Sequence, residues 1–149
     1  MPVLLYSCGA WTLSEGLKCR LNTFGCNSLR GIFGIRWQDH VSNLKVLKLA
    51  GMSCVTCLIR LRQLRSFGHV MRFPPTDPAN RILNAGEPKG WRRPTGRPRK
   101  RWLEQLEENL ENVRVTGLAS ARSYAKRSAE VWRAKVGAAK RLPGACPHT

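Results

Sequence analysis

Prolines and glycines crowd one internal stretch of the chain and constrain its fold more than any other feature. They are Pro74, Pro75, Pro78, Gly86, Pro88, Gly90, Pro94, Gly96 and Pro98. Proline lacks a backbone N–H and clashes with the preceding helical turn, so a long helix or a central strand cannot run through this stretch. We therefore interpret residues 73–98 as a basic linker. It would join a helical region, 1–72, to a C-terminal segment, 99–137, followed by a disordered tail, 138–149.

Before the linker, the apolar residues mostly recur at helical spacing. The first eleven residues predict a strand or a buried turn. A helix is predicted from about Glu15 to Ile32, with one broad apolar face. The members of that face are Leu17, Leu21, Phe24, Leu29 and Ile32. A short second helix should follow, capped by Ser42 or Asp39 and ended by Gly51.

The next segment, CLIRLRQLRSFGHVMR, predicts a helix with two neighbouring stripes. The apolar stripe consists of Leu61, Leu64, Gly68 and Met71, with Phe67 beside them. The basic stripe repeats the same spacing one residue later and consists of Arg62, Arg65, His69 and Arg72. Since residues three and four apart share a helix face, one stripe should pack and the other should face a polyanion or solvent.

After the linker, two further helices are predicted. The first starts near Arg99 and separates an apolar side from an acidic side. Its apolar side is Trp102, Leu106, Leu110 and Val113, and its acidic side is Glu104, Glu107, Glu108 and Glu111. The second runs from about Leu118 to Val136. Its stripe is Leu118, Ala121, Ala125, Ala129, Trp132 and Val136. The pattern as a whole indicates an all-α protein of about four to five helices.

Charge restricts the partners. The 149 residues include 26 Lys and Arg against 9 Asp and Glu, a formal net charge of +17. Such a surplus lowers the stability of a compact chain through self-repulsion, so a polyanionic partner is expected. That partner would be nucleic acid or an anionic membrane surface. No apolar run approaches the roughly 20 residues that a membrane span needs, and we favour RNA or DNA.

The densest charge lies at the end of the linker. Seven basic residues and no acid occur between positions 89 and 101: Lys89, Arg92, Arg93, Arg97, Arg99, Lys100 and Arg101. The core, GRPRKRW, resembles an AT-hook peptide, whose arginines lie in a narrow minor groove. Thr95 stands where such a hook has its first arginine, so the match is partial. A nuclear-import signal and a solvated charge run are the alternatives.

The six cysteines are irregularly spaced, which favours a reduced, intracellular compartment. Cys54 and Cys57 in CVTC, together with His69, are weak zinc candidates, because a structural zinc site needs four ligands and a fourth is missing. On a helix the two cysteines would share a face and pack. No carboxylates converge in the pattern, so neither a catalytic site nor a cofactor is predicted.

Four blocks of sequence occur in a recognisable order: LLYSCGAWTL, RLNTFGCNSLRGIFGIRWQDHVSNLKVL, IRLRQLRSFGHVMR and GRPRKRW. The order resembles the region that follows the polymerase domain in reverse transcriptases of LINE-like, non-LTR retrotransposons. The resemblance covers residues 3 to about 112. The matching positions are Leu4, Leu5, Tyr6, Trp11, Leu29, Arg30, Ile32, Gly34, Ile35, Trp37, Asp39, Val41, Asn43, Leu64, Gly68, His69, Val70, Arg72, Gly96, Arg97, Pro98 and Trp102.

The resemblance implies a thumb and post-polymerase region that guides template RNA and target DNA. Polymerisation in the family depends on aspartates of an upstream palm domain that this chain does not contain, so we do not expect an enzyme. Ser7 and Gly9 stand where the family has glycine and glutamate, and the chain begins just before the match. These departures indicate a truncated, decaying copy. A nuclear location is expected over a cytoplasmic one.

Two alternatives belong to other functional classes. The chain is a protein-interaction module if the Trp102/Leu106/Leu110 face and the Trp132 stripe dock onto a polymerase domain or a second copy. Uncovered apolar faces, and a basic stripe paired with the acidic side of the 104–111 helix, would favour that reading. The other alternative is a decayed fragment with no selected function.

Overall fold

The computed structural model describes residues 3–85, 90, 92, 95–96 and 100–138, and these residues form an all-α protein. The prediction of the fold class is confirmed. Seven α-helices occur in the described residues, more than the four to five expected. They are α1 (Glu15–Phe33), α2 (Asn43–Leu49), α3 (Val55–Val70), α4 (Pro78–Asn84), α5 (Trp102–Glu111), α6 (Gly117–Arg127) and α7 (Ala129–Ala138). No described helix is both long and apolar enough to cross a membrane.

The N-terminal residues form turns and a single 3-10 turn, Cys8–Ala10, rather than a strand. After this turn, Ser14 caps α1, accepting a hydrogen bond from the Leu17 backbone at 3.4 Å. Gly34, with φ of 65°, ends α1 in the left-handed conformation that glycine adopts at little cost. Of the two structures expected for the first eleven residues, a strand or a buried turn, the described residues form the turn.

A sharp corner joins α1 to α2 and depends on polar side chains. The Arg30 guanidinium donates to the Val41 carbonyl at 2.6 Å and to the Asn43 side chain at 2.8 Å. Of the two expected caps, Ser42 caps α2, whereas Asp39 accepts from the Arg36 backbone at 2.7 Å and closes the intervening 3-10 turn. The corner therefore explains why several polar residues of the second sequence block occur at these positions.

Helix α3 is the central element, and it contributes to both apolar clusters of the core. Its first turns supply Val55 and Ile59 to a cluster with Leu5, Cys8 and Leu13. Its last turns supply the predicted apolar stripe to a larger cluster with residues of α5, α6 and α7. From α3 the cluster takes Leu61, Leu64 and Phe67, and Met71 joins it directly after the helix. Its main C-terminal members are Leu106, Leu110, Ala121, Ala125, Trp132 and Val136.

The described part of the chain has two helices more than the largest number expected, and each has a separate origin. Helix α4 lies inside the stretch that we interpreted as a linker. It starts at a proline, which is tolerated in a first helical turn, and the Asp77 carboxylate accepts from the Ala79 backbone at 2.8 Å. The helix expected from Leu118 to Val136 is two helices, because Ser128 is extended and its hydroxyl accepts from the Glu130 backbone at 3.1 Å. Local capping decided both differences.

A buried polar network connects the two clusters. Gln63 is 1% exposed, and its amide donates to the Trp11 carbonyl at 2.7 Å. Its side-chain oxygen accepts from Asn109 of α5 at 2.7 Å. The Asn109 oxygen in turn accepts from Arg60 at 3.2 Å. One side chain thus fixes α3 against the N-terminal turn and α5 together.

Helix α7 reaches the core through a close approach at Gly68. A Cβ built on Gly68 would lie 2.0 Å from Nε1 of Trp132, and that indole donates to the Leu64 carbonyl at 2.9 Å. The Trp132 ring also contacts Phe67, with centroids 5.8 Å apart. A side chain at position 68 would therefore displace the buried indole.

Gly68→Ala should lower the free energy of unfolding by about 1–3 kcal/mol, because the added methyl overpacks the Trp132 contact. The matched control is Gly31→Ala in α1, where nothing lies within 4 Å of an added Cβ. The control should raise stability by up to about 1 kcal/mol through helix propensity. Urea unfolding monitored by circular dichroism measures both, and equal effects would contradict the proposed packing.

Gln63→Leu should lower the free energy of unfolding by about 2 kcal/mol or more, since the NH2 group of the buried Asn109 loses its acceptor and the Trp11 carbonyl loses its donor. Combining it with Asn109→Leu should cost less than the sum of the two single changes. The exposed Gln38→Leu serves as a control and should change stability by less than about 0.5 kcal/mol. Additive effects in the double variant would show that the two amides are not coupled.

Candidate nucleic-acid interface

The predicted basic stripe of α3 lies on the exposed side of the helix. Arg62, Arg65, His69 and Arg72 are all exposed, while the neighbouring apolar stripe is buried. The cause is the helical period, since burying one stripe against α5, α6 and α7 turns the adjacent stripe outward.

The arginines of the basic stripe differ in the hydrogen bonds that they make within the chain. Arg62 donates to the Leu5 carbonyl at 2.8 Å and lies beside the Cys8 thiol, so it partly serves to hold the N-terminal turn. Burial raises the pKa of that thiol, and the neighbouring Arg62 opposes only part of the rise. Arg65 makes no hydrogen bond or ion pair within the described part of the chain. Arg65 is therefore the most available cation of the stripe.

Arg72 opens onto a groove of about 970 Å³ that sequence reasoning did not predict. Three cations from separate elements line it: Arg72 after α3, Arg81 of α4 and Lys126 of α6. All three are exposed, and no acidic residue appears among the described residues that line the groove. We call the set of Arg72, Arg81, Lys126 and Phe73 the cationic groove.

Hydrogen bonds to backbone carbonyls fix the geometry of the cationic groove. One Arg72 nitrogen donates to the Ala125 carbonyl at 3.3 Å, which places its guanidinium next to Lys126. Helix α4 is attached at two points. The buried Asn80 amide donates to the Phe73 carbonyl at 2.6 Å, and Arg122 of α6 donates to the Leu83 carbonyl at 3.2 Å.

An aromatic ring adjoins these charges. Phe73 is half-buried in the wall of the cationic groove, and its ring meets the edge of the exposed His69 ring with centroids 4.7 Å apart. A cationic groove with an aromatic ring in its wall suits single-stranded nucleic acid, because phosphates pair with arginine and lysine while bases stack on rings.

The sequence contained only weak signals for the new members of the groove. Arg81 lies in the stretch that we interpreted as a linker, and Lys126 appeared only as a residue flanking the last apolar stripe. Their proximity to Arg72 depends on how α4 and α6 pack. The Asp77–Pro78 pair, a helix start signal, was the one local indication that an ordered element carries Arg81.

The basic cluster of the linker is only partly within the described residues. Lys89, Arg93, Arg97 and Arg99 lie outside them, and Arg92 is exposed. Lys100 pairs with Glu108 of α5 at 2.6 Å, and the Arg101 backbone donates to Glu104 at 3.0 Å, where α5 begins. Of the last two cations of the cluster, Lys100 is thus paired with α5, and Arg101 contributes its backbone to the start of that helix.

On the acidic side of α5, Glu108 does not pair with the basic stripe. Glu108 pairs with Lys100 and, at 3.7 Å, with Lys18 of α1, rather than with an arginine of α3. A basic stripe paired with the acidic side of this helix would have favoured a protein-interaction module, and Glu108 does not form such a pair. The expected docking residues Leu106, Leu110 and Trp132 are buried within the chain's own core.

The weak zinc candidates do not come together. Cys54 and Cys57 lie at the start of α3, whereas His69 lies near its end, about 20 Å away at the helical rise of 1.5 Å per residue. In the described ranges no three or more His, Cys, Asp or Glu side chains form a group that could hold a metal ion. The chain's two aspartates, Asp39 and Asp77, cap helical turns.

No protein-family model matches this chain, and no curated protein or solved structure shows significant similarity to it.

Asn80→Ala should lower the free energy of unfolding by about 1–3 kcal/mol, because the Phe73 carbonyl loses its partner where α4 joins the groove. Asn27→Ala, an exposed asparagine in the middle of α1, is the matched control and should change stability by less than about 0.5 kcal/mol. Thermal and urea unfolding would compare them. An effect of Asn80→Ala no larger than that of the control would exclude a supporting role for this amide.

Proposed function

We propose that this chain binds RNA or DNA without catalysing a reaction, as a piece of the region that follows the polymerase domain in a non-LTR retrotransposon reverse transcriptase. The single observation that carries the binding proposal is the meeting of Arg72, Arg81 and Lys126 in one groove whose described lining residues include no acid. The origin and a nuclear site of action rest on the sequence resemblance and remain part of the proposal.

Three basic surfaces would contact the nucleic acid. The cationic groove would hold phosphates of the strand, with Phe73 available for a stacked base. Arg65 would add a phosphate contact on the outer side of α3, with Arg62 as a secondary contact because it also holds the N-terminal turn. The basic cluster of the linker, from Lys89 to Arg101, would follow the phosphate backbone beyond the groove.

The physical driving force would be the release of counterions. Each phosphate that a lysine or arginine neutralises contributes about 0.7 to the slope of log affinity against log salt on single strands, and about 0.9 on duplex. Phosphate contacts carry no sequence information, so the selectivity for base sequence should be weak.

A second candidate is docking onto a polymerase domain, and one observation favours it. Large apolar side chains at the α1–α2 corner and along α2 remain uncovered, with Ile32 76%, Trp37 79% and Leu49 60% exposed. Large exposed apolar side chains on neighbouring elements are typical of surfaces that contact another protein. This surface differs from the docking faces expected from the sequence. If the chain binds neither RNA nor DNA, docking becomes the better candidate.

Replacing Arg72, Arg81 and Lys126 together by glutamine should weaken binding of a labelled single-stranded RNA by about tenfold or more and reduce the salt slope by about 2 units. The matched control replaces three exposed cations of α1 and α2, namely Arg20, Lys45 and Lys48, by glutamine, with the same loss of charge. It should retain most of the affinity.

Fluorescence anisotropy at several salt concentrations, on RNA and on duplex DNA, makes the comparison. Equal losses in the two triple variants would mean that bulk charge alone attracts the ligand and would reject the groove as a site. Near-indifference of wild-type binding to salt would reject the proposed function. A third variant, Arg97→Ala with Arg99→Ala and Arg101→Ala, measures how much the basic cluster of the linker contributes to the affinity for nucleic acid.

A further inference from the structure

Two cysteines meet at the start of α3. Cys54 is the residue before the helix, with extended backbone angles (φ −60°, ψ 154°), and Cys57 lies in the first turn. Residues three apart share a helix face, and here the two sulfur atoms approach to 2.7 Å. The α-carbons of such a pair are about 5 Å apart, within the range that a disulfide bridges.

The helix start is capped by a side chain of α1 and not by the Cys54 sulfur. The Cys54 side chain makes no cap hydrogen bond, and the Thr56 backbone N–H instead donates to the Asn22 side chain of α1 at 3.1 Å. The Cys54 sulfur also lies 3.4 Å from the Thr56 hydroxyl. The start of α3 is therefore held by α1, and a bond between the sulfurs would leave that cap in place.

The two thiols differ in access. Cys54 is 5% exposed, whereas Cys57 is half-buried and presents more of its surface to a reagent. Cys57 would therefore react first, with Cys54 poised behind it.

We propose that Cys54 and Cys57 form a dithiol–disulfide site that exchanges with small aliphatic disulfides of the glutathione class. The Cys57 thiolate attacks one sulfur of the oxidised reagent, forming a mixed disulfide and releasing one reagent thiolate. The Cys54 sulfur then attacks the Cys57 sulfur and displaces the second reagent thiolate. The protein loses two protons and two electrons, the reagent disulfide is reduced to two thiols, and the two protons pass to those products.

Neighbouring cysteines are less suited to the first step. Cys26 of α1 is buried, and burial raises the pKa of its thiol; Arg30 opposes that rise, and nearby Cys54 adds to it. Cys8 is fully buried, and burial likewise raises its pKa. Since the thiolate is the attacking form, both react more slowly at neutral pH. The site lies at the end of α3 opposite the cationic groove and does not rest on the proposed function.

The test exposes the full chain to oxidised glutathione, in a Cys146→Ser background that removes the cysteine of the C-terminal residues. After acid quenching and alkylation, mass spectrometry and peptide mapping should find a chain two hydrogens lighter, with Cys54 linked to Cys57. Cys54→Ser should instead accumulate a glutathione adduct on Cys57, roughly tenfold above the wild-type level, because the resolving sulfur is gone. Cys19→Ser in α1 is the control and should form the same disulfide as wild type.

Two outcomes would overturn the proposal. One is a link that maps to Cys26 and Cys54 instead of the CVTC pair. The other is an adduct level on Cys57 that does not rise in Cys54→Ser. Circular dichroism must show wild-type helicity for Cys54→Ser. If Cys54→Ser loses helicity, the proposal is judged only on the peptide map of the chain that retains both Cys54 and Cys57, because that map requires no substitution at either cysteine.

Discussion

The fold depends on the buried amide of Gln63. It lies on α3 between the two apolar clusters and bonds to the Trp11 carbonyl on one side and to Asn109 of α5 on the other. A buried amide without partners costs much more than an apolar residue, so these bonds permit only one arrangement of the N-terminal turn, α3 and α5. The close contact of Trp132 with Gly68 then adds α7 to the same helix.

With α3 fixed from these sides, its remaining side has to face outward, and that side is basic. The core therefore exposes Arg65 and the end of the stripe in a chain of +17 net charge. Helices α4 and α6 pack near the end of α3 through Asn80, Arg72 and Arg122, and each brings a cation to the groove. The surface charge and the core are thus two consequences of how one helix is placed.

The sequence allowed accurate prediction where a local period decided the outcome. The two stripes of α3 and the start of α2 at Ser42 follow from spacing and capping. The helix break at Ser128 was missed because an apolar stripe continued through it, and the stripe members remain buried on either side of the break. The face expected on α1 is buried at Leu29 but exposed at Leu17, Phe24 and Ile32, because α2 and α3 cover only one part of that helix.

The sequence by itself determined the all-α class and, for α3, which stripe would be apolar and which basic. Those properties depend on side chains within a few turns of each other, whose relative positions the helical period sets. Only the tertiary structure decided that Arg72 meets Arg81 and Lys126, that Trp132 fills the space above Gly68, and that the Trp102 side of α5 is covered. These contacts join residues far apart in the chain, and the packing of whole helices, rather than any local pattern, brings them together.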